Sequence, residues 1–208
     1  MNAGPEIAGD DPAPDLPPYV GIDLARVRLV RSEQDAREAL ADLLGSDAIG
    51  FDTESKPTFA KGEVSTGPHL VQLATLETAW LFQTATPAGN ALAITVLKPV
   101  LEDERVLKVG FGLGDDVRRL KSKLGIELRS VLDLSTALRR RGERNPLGAR
   151  SAVERFLGQR LQKSKRITTT NWALPRLSDK QLQYAADDAH AALKIYRHWK
   201  ANPPASKA

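Results

Sequence analysis

The sequence predicts an α/β fold, a mixed β-sheet flanked by α-helices. Two observations carry this. Runs of strand character cluster early in the chain, and strand-like and helix-like runs alternate after them. At 208 residues, with 41% apolar and 27% charged positions, the chain has the size and balance of one globular domain with a real core.

Taken in order, EQDAREALADLL (33–44) places apolar residues at helical spacing. AIGFDTE (48–54) reads as a strand, and HLVQLAT and TAWLFQ read as two more, joined across LET as a hairpin. Leu92 to Leu101 reads as a helix complicated by Pro99, which removes an interior N–H. RVLKVGF predicts a strand, DDVRRLKSKLG a short helix closed by Gly125, and SVLDL a short strand. GARSAVERFLG predicts a helix ending at Gly158. The longest helix runs from Ser178 to Lys200, with Ser178 and Gln181 as a capping box and Pro203 and Pro204 beyond its end. Residues 1–23 are expected to be a disordered, acidic, Pro-rich tail, residues 24–200 the domain, and residues 201–208 a disordered end.

Composition narrows the chemistry. With no cysteine and three histidines, any metal must be held by oxygen or by one of those histidines. No apolar run approaches the roughly 20 residues of a membrane span. The first residues lack the basic start and apolar stretch of a secretory signal. The expectation is a cytoplasmic protein, or a nuclear one in a eukaryote, with no membrane partner. The net charge is +4, unevenly spread. Residues 1–25 hold 5 Asp or Glu and no Lys or Arg, whereas residues 104–166 hold 17 Lys or Arg against 7 Asp or Glu. A basic segment of this kind suits a polyanion, the alternative being a solvated basic surface.

Acidic residues in three separated segments carry the chemistry. They are Asp52 and Glu54 in AIGFDTES, Asp116 in VGFGLGDDVRRL, and Asp188 in YAADDAHAAL. Carboxylates gathered from distant segments repel one another, and a fold tolerates them best around divalent metal ions. Two such ions form the usual machinery of phosphodiester cleavage. Asp52 and Glu54 share one strand face with Ala48 and Gly50, whose small size leaves room for ions and substrate. In the helix after GFGLG, Leu113, Val117, Leu120 and Leu124 form the apolar stripe. Asp116 lies about 60–80° from it, while Asp115 faces solvent and suits the N-cap. On the last helix Asp188 borders the apolar stripe and Asp187 points almost directly away from it. Tyr184 lies one turn before Asp188 on the same face.

D-x-E on a strand, an Asp opening a helix after G-x-G, and Y-x-x-x-D on a late helix resemble the DEDD 3′–5′ exonucleases, in the tyrosine branch that includes ribonuclease D and the Werner-type exonuclease domain. The sister branch has a histidine where this chain has Gln183. Similarity to the Werner-type domain extends through HLVQLAT and LQKSKRITTTNWALPRLSDKQLQYAADDAHAALKIY, covering roughly residues 46–200. One departure is Thr170, where a serine is expected before Asn171; it keeps the hydroxyl.

The resemblance implies a ribonuclease H-like sheet with helices on both faces. It implies two Mg²⁺ or Mn²⁺ ions held by Asp52, Glu54, Asp116 and Asp188, with Asp52 between them. Tyr184 would position the attacking water, and nucleoside 5′-monophosphates would leave from the 3′ end of a nucleic acid. The Werner-type match favours DNA. The alternatives are an RNA-directed 3′ exonuclease and a catalytically silent nucleic-acid-binding module. A dinucleotide-binding reading of GFGLGD fails because Asp115 stands where the third glycine belongs. Candidate substrate contacts are Arg139, Arg140, Arg141 and Arg144 in a loop, with Asn171 and Trp172 at a position the family shares. Lys56, His69 and Gln72 are read as a surface lysine, a loop histidine and a solvent-facing strand residue, and His190 as facing away from the acids.

Overall fold

Among the described residues, six strands form one sheet in the order β1-β4-β3-β2-β5-β6. They are β1 (Val27–Leu29), β2 (Ala48–Glu54), β3 (Leu70–Ala74), β4 (Ala79–Gln83), β5 (Leu107–Gly110) and β6 (Val131–Asp133). β2, β3 and β4 pair antiparallel, whereas β1 joins β4 in parallel and β2, β5 and β6 run parallel to one another. The computed structural model describes residues 16–58, 66–162, 167 and 169–203. Residues 1–15 and 204–208 of the expected tails lie outside these. No helix among the described residues is long and apolar enough to cross a membrane.

Helices cover both faces. α1 (Glu33–Leu44) and α2 (Pro87–Leu101) pack on one face with α3 (Gly114–Arg119) and the π turn that follows it (Leu120–Leu124). Their core partners from the sheet are Ile49, Phe51, Val71 and Leu73. α5 (Ala149–Leu157) and α6 (Asp179–Ala201) cover the other face, over Ala48, Val109, Leu70 and Leu81. The short α4 (Leu134–Ala137) follows β6. Residues one apart in β2 thus enter opposite cores, as strand alternation requires.

Local chemistry explains most boundaries. Ser32 and Asp35 form a capping box on α1, and Ser178 and Gln181 form the expected one on α6. Gly125 (φ 64°) and Gly158 (φ 61°) stop their helices in the left-handed conformation. α2 begins earlier than its apolar spacing indicates, because Thr86 caps it and Pro87 fits its first turn. Pro99 is absorbed near the helix end. It and Thr95, whose carbonyl loses its donor, are both exposed to water.

The N-terminal boundary differs from expectation. Residues 16–23 are bound to the domain rather than forming part of a disordered tail. Pro18 bridges Arg160, the Tyr19 hydroxyl meets His190 Nδ1 at 3.0 Å, and the Ile22 N–H donates to Asp187 Oδ1 at 3.1 Å. A 3-10 turn at Leu24–Arg26 then leads into β1.

Candidate active site

The site forms at the C-terminal ends of the parallel strands β2, β5 and β6. Asp52 and Glu54 lie half-buried among the last three residues of β2. Asp188 comes from the middle of α6, where it is only 7% exposed. Carboxylate oxygens of these three residues lie within 4.8 Å of one another. The convergence depends on α6 lying directly on β2. A Cβ on Gly50 would collide with the Ala189 carbonyl oxygen. The small residues of β2 therefore admit the helix backbone rather than ions and substrate, a correction to the role expected of Ala48 and Gly50.

Tyr184 completes the group from one turn earlier on α6. Its ring packs in a cluster with Leu70, Leu81, Trp172 and Ala185, and its hydroxyl bonds the Asp188 side chain. Burial, then the charges of Asp188 and Glu54, raise the phenol pKa far above its ordinary value, so the hydroxyl keeps its proton.

The fourth acid stands apart. Asp116 borders the core and Asp115 is exposed, as helical phase predicts. Asp116 Oδ1, however, accepts a hydrogen bond from the Thr53 hydroxyl on the opposite face of β2, and it is not in the three-acid group. Burial raises its pKa, opposed by Thr53 and by the charge of Arg119. Asp115 is not the N-cap; it lies inside the first turn and pairs with Arg118 at 2.9 Å. Among the described residues no side chain caps α3; Asp133 instead holds the loop that leads into it, accepting from the N–H groups of Gly112 and Leu113 at 3.0 Å each. Burial opposes its ionisation, but bonds from Ser135, Gly112 and Leu113 hold its carboxyl below the ordinary range.

Several other expectations change. Asp187 does not face open water: it accepts from Ile22 and Gln183, and burial raises its pKa to about 6. His190 is turned away from the acids as expected, but it is buried and bonded to Tyr19. His69 is buried, takes the Lys56 N–H on Nδ1 at 3.0 Å, and has its pKa lowered by burial and then by Lys56. Gln72 is fully buried, not solvent-facing. The signal was present: β3 is apolar on both faces, the pattern of an interior strand. Trp172 is fully buried against Tyr184, with ring centroids 6.1 Å apart, so it packs the core and offers no surface to substrate. Asn171 is exposed, but its Oδ1 accepts the Ala173 N–H and closes a turn. Arg139, Arg140, Arg141 and Arg144 are exposed in the loop between α4 and α5, as expected. A cavity of about 800 Å³ opens beside Tyr184 and Asp188, walled by Pro18, Tyr19, Ile167 and Gln181.

The sequence pattern of the 3′–5′ exonuclease family matches residues 27–201, nearly all of the described fold. The chain belongs to the 3′–5′ exonuclease family. A 3′–5′ exonuclease of Arabidopsis thaliana is 31% identical over 169 residues, spanning 79% of this chain and 56% of that protein. The mouse bifunctional 3′–5′ exonuclease/ATP-dependent helicase WRN is 30% identical over 161 residues, 74% of this chain and 11% of that one. The chain therefore spans about half of the first relative and a small part of the second. The crystal structure of Trypanosoma brucei RNase D in complex with RNA U12 superposes with a TM-score of 0.74. At 23% identity, with 86% of this chain and 64% of that chain covered, the likeness is one of fold, the ribonuclease H-like type.

The donor set fits a hard divalent cation. Three carboxylates, all oxygen donors, already lie close enough to close on one ion, with no thiolate in the chain and no histidine in the group.

Proposed function

We propose that this chain is a two-metal-ion 3′–5′ exonuclease that removes nucleoside 5′-monophosphates from the 3′ end of a nucleic acid. The observation that carries this reading is the convergence of Asp52, Glu54 and Asp188 beside a protonated Tyr184. Asp52, Glu54 and Asp188 would hold one Mg²⁺ or Mn²⁺ ion. Asp52 and Asp116 would hold the second, once Asp116 exchanges its Thr53 bond for it. Bound ions supply Lewis acidity at the scissile phosphate and lower the pKa of a bound water.

The side chains have the remaining tasks. Asp188 fixes the Tyr184 hydroxyl, which orients the attacking water by hydrogen bonding. The water oxygen bonds to phosphorus and the P–O3′ bond breaks. The penultimate nucleotide keeps its 3′ oxygen, now protonated, and the terminal nucleotide leaves as a 5′-monophosphate. The cavity beside Tyr184 and Asp188 is where that nucleotide would sit.

DNA is the first reading of substrate, from the likeness to the WRN exonuclease. RNA is the second, favoured by the RNA bound in the Trypanosoma brucei structure. Single-stranded DNA, recessed duplex DNA and RNA, each labelled at the 3′ or the 5′ end and incubated with Mg²⁺ or Mn²⁺, decide between them. Expected are immediate release of the 3′ label, a ladder from the 5′ label, and loss of both in Asp52→Ala and Asp188→Ala. Activity that persists in these purified variants, or that needs no metal, would overturn the proposal.

A further inference from the structure

Gln72 lies where an apolar side chain would be expected. It is at the centre of β3 and fully buried. Among the described residues, neither its amide nitrogen nor its amide oxygen has a hydrogen-bond partner. A buried amide without partners is costly, and one in a native interior calls for a reason. The antiparallel register sets Gln72 directly opposite Asp52 on one side and Leu81 on the other. Directly opposed residues share a face with Cβ atoms about 5 Å apart. Gln72 therefore stands between the acid at the centre of the site and the cluster of Leu70, Leu81 and Trp172 that seats Tyr184. The side chains beside it on its own face of β3 are Leu70 and Ala74. An apolar residue would fill this place without an unmet polar group.

We propose that Gln72 is a positioning residue that acts through Asp52. When the carboxylates close on a divalent ion, the Gln72 amide N–H donates to the Asp52 carboxylate and fixes which oxygen faces the ion. Hydrogen bonds of this outer kind commonly change metal affinity 10–100-fold. The inference rests on the metal-dependent reading above.

The test uses Gln72→Met, close in shape, and Gln72→Leu. Mn²⁺ alone is titrated into the folded proteins by calorimetry, thermal melting is recorded without metal, and kcat and KM are measured on a 3′-labelled oligonucleotide. The expected result is a melting temperature equal to or above that of the unsubstituted protein, Mn²⁺ affinity lower by about 10-fold, and a lower kcat with KM kept. Unchanged Mn²⁺ affinity in both variants overturns the proposal whatever the melting temperature does. So does a fall in affinity accompanied by lower melting temperature in both, because a loosened layer would then account for it. If the unsubstituted protein binds no Mn²⁺ and has no metal-dependent activity, the functional reading itself fails, and Gln72 with it.

Discussion

Tyr184 divides its work between two ends of one side chain. The ring belongs to the core with Trp172 and Leu81, and the hydroxyl belongs to the site through Asp188. Tyr184→Phe keeps the first and removes the second. Unfolding free energy should therefore change by no more than about 1 kcal/mol, one hydrogen bond's net worth. Metal-dependent kcat should fall by about 100-fold, the scale of loss when a reacting group is misplaced. Denaturant melts and single-turnover rates check the two halves, and an unchanged rate would remove Tyr184 from the site. At this scale the sequence was legible wherever the answer was a direction on a helix. The 3.6-residue period separates Asp116 from Asp115 and Asp188 from Asp187. It says nothing about what a side chain meets. Asp187 ends on the backbone of Ile22 and Asp116 on Thr53, partners brought close only by the folded chain. Trp172 shows the same limit, because matching a family position does not reveal whether a ring is buried.

Elements read best where their own residues define them. α1 and β2 begin and end where spacing and alternation place them, and both stop glycines act as expected. β1 went unread because three residues, VRL, become a strand only through pairing with β4. The packing of α6 on β2 depends on Gly50, and Gly50→Ala tests it. The added Cβ meets the Ala189 carbonyl, which is backbone and cannot turn aside. α6 must move, carrying Asp188 and Tyr184 away from Asp52 and Glu54. A cost of about 1–3 kcal/mol, as for overpacking elsewhere, should appear in urea unfolding, with a larger proportional loss of activity. Unaltered stability and activity would show that the contact is not tight. β5 offers a second test. Lys108 is fully buried, with its Nζ donating to the Asp103 carbonyl at 2.7 Å. Burial lowers its pKa from 10.5 to about 8, partly offset by the charges of Asp103 and Glu104. The folded state thus prefers the neutral amine. Its favourable contribution is complete above the unfolded pKa of 10.5 and is lost as pH falls through about 8. Stability should rise between those values by up to about 3 kcal/mol, and Lys108→Met should abolish that rise. Guanidinium unfolding at pH 7 and pH 10 measures the difference between the two proteins, and equal slopes would refute it.

Charge is organised at the scale of the whole molecule. The carboxylates converge at the C-terminal ends of the parallel strands, and the chain leaves that same end through β6 and α4 into the arginine loop. This juxtaposition was readable in outline, since the acidic motifs and the basic stretch of residues 104–166 are both plain in the sequence. The closure of the N-terminal segment over α6 was not readable, because it joins Tyr19 to Arg160 and His190 through contacts that span most of the chain. The arginine loop carries the prediction proper to this scale. Arg140 and Arg144 have their backbones engaged within the loop, by Glu143 and Arg139 respectively, and all four guanidinium side chains are exposed to solvent. If they meet phosphates of the incoming strand, each contact releases condensed counterions and steepens the salt dependence of binding, by about 0.7 in the log–log slope for a single strand. Replacing Arg139, Arg140, Arg141 and Arg144 together by alanine should therefore flatten that slope by up to about 3. Affinity should fall similarly for oligonucleotides of different sequence, because phosphate contacts carry no base information. Single-turnover rates at saturating substrate and Mn²⁺ affinity should both hold, since none of the four belongs to the acidic group. Titrations with a labelled single strand across a range of KCl, run on Asp52→Ala protein so that the strand survives, measure the slope directly. A slope that does not change would assign the arginines to solvated surface.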